Sequence, residues 1–198
     1  ISAGVYSDGT GAGGKEIDGL EAMLPIDPTA AAYGGIDGAT FTFWQNAVVD
    51  AASLTLAEMN SLWSQLVRGG DRPDLIPCDS VYWNAYVALL QENQRFTNTN
   101  DGDAGFMSIK FMDADVVLDG GIYNVNGASG ATGAPAGTAF FLNTDYMFYR
   151  PHRDRNMVPL SPNRRYATNQ DAEVQILAWA GNMTCSGRQF QGRHDINA

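Results

Sequence analysis

The chain has 198 residues, 44% hydrophobic and 11% aromatic with 4 Trp, which is enough for one sizeable core and excludes a disordered segment. Its formal net charge of −10 excludes a uniformly basic nucleic-acid binder. No apolar run approaches the roughly 20 residues that cross a bilayer, so a soluble protein without a membrane partner is expected.

The first residue is Ile1, and no charged start, apolar stretch and cleavage site open the chain, so a processed or truncated chain is expected. Residues Ile1 to Thr42 read as a largely irregular arm or wrapped loop, with Ser7-Asp8-Gly9 and Tyr33-Gly34-Gly35 as turns and Pro25 and Pro28 as breakers. A helix is predicted from Thr55, whose hydroxyl caps the first amides while Glu58 reaches back to complete a capping box. Met59, Leu62, Trp63, Leu66 and Val67 form its apolar stripe, and Gly69-Gly70 ends it. Pro73 to Cys78 is a short buried strand. Asp79 caps a second helix running to about Arg95, with Tyr82, Tyr86, Leu89 and Leu90 on one face.

A polar loop, Thr97 to Gly105, precedes Phe106 to Met112 and Ala114 to Leu118, a strand pair or one bent strand. In the glycine-rich insertion Gly120 to Gly137, Tyr123 to Pro135 is predicted to be an irregular surface loop, because it buries too little to offset the cost of ordering. Thr138 to Asn143 and Tyr146 to Arg150 are strands. The alternation of Glu173 to Trp179 predicts a strand with both faces at least partly covered, continuing beyond Gly181-Asn182 into Met183 to Phe190. The expected class is α+β, with helices against a mostly antiparallel sheet. Residues 53–119 and 138–180 are expected to form one core that buries Trp63, Leu66, Ile76, Tyr82, Leu89, Val117, Phe141 and Ile176.

Charge is unevenly placed. Asp145 to Arg165 holds five arginines (Arg150, Arg153, Arg155, Arg164, Arg165) against Asp145 and Asp154, a local net of +3. Asp101 to Asp119 holds five Asp against Lys110, a local net of −4. Either these charges pair within the chain on a solvated surface, or copies of the chain pair basic to acidic across a subunit boundary. The candidate contact residues are Arg150, His152, Arg153, Asp154, Arg155, Arg164 and Arg165 on one side, and Asp113, Asp115 and Asp119 on the other. Cys78 and Cys185 lack metal-type spacing and read as two buried thiols rather than a disulfide.

Catalytic vocabulary is thin. Gly9 to Lys15 nearly satisfies a phosphate loop, but Ser2 to Asp8 is a poor strand to precede it. Glu16 stands where a magnesium-binding hydroxyl is needed, so a structural glycine turn is the expected reading. His152-Arg153-Asp154 mimics a kinase catalytic triplet with every other kinase motif missing. Asp101-Gly102-Asp103, Asp113, Asp115 and Asp119 lack the spacing of a calcium loop. With only His152 and His194 as histidines, no catalyst, metal site or cofactor is assigned. Asn182-Met183-Thr184 is a glycosylation triplet, relevant only to a secreted chain.

Several blocks, in order, resemble major capsid proteins of tailed bacteriophages with the Hong Kong 97-type fold. They are Ser7 to Gly11, Glu16 to Leu20, Arg72 to Ile76, Phe140 to Tyr146, Arg150 to Asn156, Asn169 to Asp171 and Gly181 to Cys185. The resemblance implies a non-enzymatic subunit that self-assembles into hexamers and pentamers enclosing double-stranded DNA. Implied partners are other copies of itself, scaffold, portal and decoration proteins, and packaged DNA bound non-specifically. Implied locations are the virion capsid and, during assembly, the host cytoplasm. It also implies that residues 1–19 end a peripheral domain, 20–178 form the axial domain and 179–198 return to the periphery. The family's N-terminal arm, extended hairpin and spine helix would then be missing. The alternative is a nucleotide- or phosphate-binding enzyme using Gly9 to Lys15.

A thermal-shift measurement separates the two. A ligand at 100 times its dissociation constant stabilises by about 2.7 kcal/mol, whereas ATP with magnesium is expected to leave the melting temperature unchanged.

Overall fold

The structure is a computed structural model that describes residues 2–30, 32–92, 108–119, 133–160, 165–166 and 173–196. The expected loop over 97–105, the insertion as far as residue 132, and Arg164 lie outside the described residues.

The first 46 residues are more ordered than their glycines suggest. They contain a turn of helix, α1 (Ser2–Val5), a turn labelled α2 (Gly11–Gly14) that is broken by left-handed Ala12 and Gly13, and α3 (Leu20–Met23). The hairpin β1 (Ala32–Tyr33) and β2 (Ile36–Asp37) then turns at Gly34 and Gly35, which sit at φ 62° and 78°, a region that favours glycine. A 3₁₀ turn over Thr42–Trp44 leads into β3 (Ala47–Asp50).

The helix α4 (Leu56–Leu66) starts where the sequence places it. Thr55 Oγ1 accepts from the Glu58 amide at 3.2 Å, and Glu58 Oε2 accepts from the Thr55 amide at 3.1 Å. It ends at Leu66, so Val67, expected as the last residue of its apolar stripe, is the C-cap and is exposed. Next come β4 (Leu75–Cys78) and α5 (Ser80–Glu92), capped by Asp79, whose carboxylate accepts from the amides of Val81 and Tyr82 at 3.0 and 2.9 Å. The expected pair β5 (Ser108–Phe111) and β6 (Ala114–Leu118) is a hairpin turning at Met112–Asp113, with Met112 at φ 54°. It is followed by β7 (Thr138–Phe141).

One six-stranded sheet collects these strands in the order β3-β14-β7-β4-β6-β5, where β14 is Gly192–Asp195 near the end of the chain. β14 runs parallel to β3 and antiparallel to β7, and β4 runs parallel to β6. Side chains alternate across the sheet, so β7 feeds two cores. Ala139 and Phe141 join Met59, Leu62, Leu66, Tyr82 and Tyr86 under α4 and α5. Phe140 faces the other way and joins Tyr6, Leu20, Met23, Leu24 and Trp44. The N-terminal arm is therefore the layer that covers the second face of the sheet.

Of the eight side chains expected in the core, Leu66, Ile76, Tyr82 and Phe141 are buried, while Trp63 and Leu89 pack against the core partly buried. Val117 is half-buried because Val116 takes the core-facing position. Ile176 is 39% exposed, which corrects the expected covered strand. Glu173 to Trp179 forms two separate pieces, β11 (Glu173–Val174) and β12 (Leu177–Ala178), each paired in a two-stranded ribbon, with Val174, Ile176 and Leu177 exposed. Met147 still packs against the second core, but Phe148, Tyr149, Met157, Val158, Val174, Ile176 and Leu177 are exposed and leave the core this segment was expected to join.

β14 escaped the sequence reading because it is Gly-Arg-His-Asp, with no apolar residue, yet all four positions are buried. Gly192 and His194 face the helices. A Cβ on Gly192 would lie 2.7 Å from Leu66 Cδ1, and Tyr82 Oη meets His194 Nδ1 at 2.7 Å. Arg193 and Asp195 face the N-terminal layer. The Arg193 guanidinium reaches Asp195 at 3.1 Å, Glu21 at 3.7 Å and the Leu24 carbonyl at 3.4 Å, and lies 5.5 Å from the Phe140 ring centre. Thr138 Oγ1 donates to Asp195 at 3.1 Å.

Burial pushes His194 below its ordinary value, opposed by the charges of Glu58, Asp195 and Asp50. Below about pH 6.5 the unfolded chain then binds more protons at this site than the folded one, so this contribution to stability is complete above that pH and is lost as pH falls toward the native value. Denaturant titrations at pH 7.5 and 5.5 are expected to show a lower midpoint at pH 5.5, a slope that His194→Gln abolishes. Tyr82→Phe, which takes away the partner of Nδ1, is expected to cost about 1–3 kcal/mol at pH 7.5.

Candidate functional site

The surface feature that stands apart from the cores is the β-ribbon between residues 147 and 185. Its root pairs β8 (Met147–Pro151) with β13 (Gly181–Cys185), antiparallel, with Met147 opposite Cys185 and Pro151 opposite Gly181. Further out β9 (Val158–Pro159) pairs with β12, and β10 (Arg165–Tyr166) pairs with β11. The root is tied to the body. Asn182 exchanges hydrogen bonds with Asp18, at 2.8 Å from the backbone amide and 2.6 Å to the carboxylate, and Tyr33 Oη donates to the Met183 carbonyl at 3.0 Å. Tyr146 stacks on Phe190 at 4.4 Å and donates to Asp71 at 3.0 Å. The glycosylation triplet thus begins at a side chain already used to hold the ribbon.

Between the root and β9, residues 152–157 lie opposite only residues 179–180, so one strand bulges outward. The bulge is closed by its own hydrogen bonds, His152 N–H to the Ala180 carbonyl at 2.7 Å, Ala180 N–H to the Arg155 carbonyl at 2.9 Å and Arg155 N–H to the His152 carbonyl at 3.1 Å. His152 Nδ1 accepts from the Asp154 amide at 3.2 Å, a turn bond that leaves the kinase-like triplet no catalytic geometry. Arg153, Asp154 and Arg155 are carried on this bulge and are exposed. Arg150 is the anchored arginine, with Nε donating to Thr184 Oγ1 at 3.0 Å and its guanidinium 5.2 Å from the Phe148 ring centre.

The ribbon is apolar as well as basic. Phe148, Tyr149, Met157, Val158, Val174, Ile176 and Leu177 are all exposed, and Tyr149 stacks on Trp179 at 5.3 Å. A two-stranded ribbon is marginally stable alone, and this one leaves large apolar side chains facing solvent. Where the ribbon meets the N-terminal layer and the sheet there is an apolar groove of about 680 Å³, lined by Tyr6, Leu20, Leu118, Met147 and Tyr149 among others.

The aspartates expected opposite the arginines are engaged inside the chain. Asp113 pairs with Arg72 at 3.1 Å, Asp115 with Lys110 at 2.9 Å, and Asp119 accepts from Tyr6 Oη at 2.7 Å. The first two pairs are solvent-exposed and each is worth about 0–1 kcal/mol. Burial, reinforced by Asp119, pushes the Tyr6 phenol up, so it donates throughout the accessible range. Among the described residues, none of Arg150, Arg153 and Arg155 forms an ion pair with these or other acids.

The glycine loop before Lys15 follows a helical turn rather than a strand. Glu16 accepts from Ser7 Oγ at 2.8 Å and fills the space beside Gly11, where a Cβ would meet its carboxylate at 2.3 Å. Asp18 crowds Gly9 in the same way, so carboxylates occupy the ground a phosphate would need. Cys78 and Cys185 are free thiols, one buried and one half-buried, and burial pushes Cys78 up to about 12 and raises Cys185, which keeps both protonated. Among the described residues no group of three or more His, Cys, Asp or Glu side chains is placed to hold a metal, and no helix is long and apolar enough to cross a membrane.

No protein-family model and no curated protein matches the sequence. The fold is shared with a chain of the cyanophage A-1(L) capsid asymmetric unit, at a TM-score of 0.68 and 15% identity. The likeness covers all of this chain and 65% of that one. The chain therefore has a mixed α and β, phage-capsid-like fold, and at this identity the likeness is one of fold.

The packing at the ribbon root is testable at Gly181, where a Cβ would lie 2.8 Å from the Arg150 carbonyl and 2.6 Å from the Trp179 ring. Gly181→Ala is expected to speed amide exchange in 147–151 and 181–185 by about tenfold or more while β7 and β14 keep their protection. Unchanged exchange in the ribbon would overturn the close approach.

Proposed function

We propose that this protein is a structural subunit of a bacteriophage capsid of the Hong Kong 97 type, assembling into hexamers and pentamers around double-stranded DNA. The observation that carries the reading is the fold likeness to a capsid chain over the whole length of this one. The uncovered ribbon supports it, since a subunit in a closed shell has neighbours to bury such surface. The activity of this protein is then assembly rather than chemistry. Its partners are further copies of itself, with packaged DNA, scaffold, portal and decoration proteins as additional contacts, in the virion and, during assembly, in the host cytoplasm.

In this reading Arg150, His152, Arg153, Asp154, Arg155, Arg164 and Arg165 belong to a subunit contact. Asp113, Asp115 and Asp119 remain candidate counterparts, since the exposed in-chain pairs of Asp113 and Asp115 are weak enough to exchange and Asp119 is bound to the neutral Tyr6 hydroxyl rather than to a cation. Arginine suits the role through its planar fork, which holds carboxylates in bidentate fashion. One such contact decides little, but a shell repeats it in every copy.

The experiment is expression of the protein alone, with shells counted by electron microscopy. Arg153→Glu with Arg155→Glu is expected to leave the melting temperature within a few degrees of the parent and to reduce closed shells sharply. Normal shells from a normally folded double variant would refute the contact, and an unfolded variant would mean the arginines brace the subunit internally.

A further inference from the structure

The ribbon's arginines need an acidic, apolar counterpart, and a second surface of the same chain fits better than the aspartates of β6. The turn after β2 splits its aromatic residues. Trp44 turns into the core, with Nε1 donating to the Tyr33 carbonyl at 3.1 Å, while Phe41 and Phe43 turn outward, 47% and 60% exposed. The two outward rings lie 5.8 Å apart and lean on each other. An exposed phenylalanine pair beside a buried tryptophan is an apolar patch that the single chain leaves uncovered.

Two aspartates lie on the backbone next to this patch. The Phe41 amide donates to the Asp37 carbonyl at 2.9 Å, and Pro28, the residue after Asp27, approaches Gly38 so closely that a Cβ there would lie 2.2 Å from the Pro28 carbonyl oxygen. Asp37 accepts from Thr40 Oγ1 and the Ala39 amide, and Asp27 from the hydroxyl and amide of Thr29. These bonds, the threonine hydroxyls first, hold both carboxyls below the usual range, so both are charged at neutral pH. Neither forms an ion pair among the described residues, unlike Asp113 and Asp115.

We infer that the outer ribbon of one copy docks on the Phe41–Phe43 shoulder of a second copy. Arg153 and Arg155 meet Asp37 and Asp27, and Met157, Ile176 and Leu177 cover the two phenylalanine rings. Charge complementarity selects the occupant. Residues 147–185 carry five arginines against Asp154, Asp171 and Glu173, a net of +2, so the rest of the chain carries −12 of the total −10. Both surfaces stay exposed within one chain, so the ribbon does not fold back to cover its own shoulder. Repeated in one direction from copy to copy, such a contact is head-to-tail, and it closes into a ring where the rotation between copies permits. The inference rests on the capsid reading and adds the acceptor surface to it.

The test is self-association of the whole chain by sedimentation velocity over a concentration series at low salt. Asp27→Asn with Asp37→Asn removes the charge and keeps the amide bonds of both turns, with the Thr40 hydroxyl turning to accept from the new Asn nitrogen, and Phe43→Ser removes one ring. Each is expected to weaken association at least about tenfold with the melting temperature retained, as is Arg153→Glu with Arg155→Glu. Mixing that arginine variant with Asp27→Lys and Asp37→Lys is expected to restore association between the two chains when neither associates alone. If the shoulder variants associate like the parent while the arginine variant does not, the docking surface is overturned and the ribbon remains a subunit contact through another acceptor or through itself. If the arginine variant also associates normally, or the parent stays monomeric throughout, docking is overturned whatever the shoulder variants do. Shell counts on the same variants separate that outcome from failure of the capsid reading, which predicts shells from the parent.

Discussion

The polar strand β14 holds this structure together. It lies inside the sheet between the edge strand β3 and β7 and carries Arg193 toward one core and His194 toward the other. Arg193 is 5% exposed and holds Asp195 on its own strand, Glu21 on α3 and the Leu24 carbonyl at that helix's end. The N-terminal layer is therefore attached to the sheet by charge as well as by Leu20, Met23 and Leu24. Removing one member of such a buried group leaves an uncompensated charge, which costs about 3–5 kcal/mol, whereas an apolar replacement of the whole group can be neutral. Burial raises the Glu21 carboxyl, opposed by Arg193 and reinforced by Asp8 and Asp195.

A second buried arginine stands at the other end of the same layer. Arg188 is fully buried and donates from Nη2 to Asn46 at 3.1 Å, while Nε and Nη1 find no partner among the described residues. Burial lowers its pKa, opposed by Cys185 and Tyr33. Together the two arginines mark where residues 188–195 meet the N-terminal layer. Asn46 is also tied to the Pro25 carbonyl at 3.2 Å, so chain segments far apart in sequence meet at one place.

The ribbon obeys the opposite rule. Where β14 buries polar groups at a cost offset by specific bonds, the ribbon exposes apolar groups with little to cover them. Its root is fixed by Asn182, Tyr33 and Tyr146, and its outer part is a bulged pair of short strands. A tied root and exposed outer strands suit a segment completed by a neighbour, which is the physical ground on which the proposed assembly stands. The same tied root makes the groove beside Tyr6 and Met147 a concave surface rather than a closed cavity.

Local chemistry was legible in the sequence. The Thr55–Glu58 box, the Asp79 cap, the Tyr33-Gly34-Gly35 turn and the apolar runs of β4, β6 and β7 each depend on residues within a few positions, so periodicity and capping located them. The arginine-rich segment was legible as a surface feature for the same reason. The tertiary structure alone decided that Gly192 to Asp195 is an interior strand, because its burial is made tolerable by Glu21, Tyr82 and Thr138, residues distant in sequence that no local pattern links to it. It also decided that Glu173 to Trp179 is uncovered, since alternation in a sequence specifies two faces of a strand but not whether another layer lies over either of them.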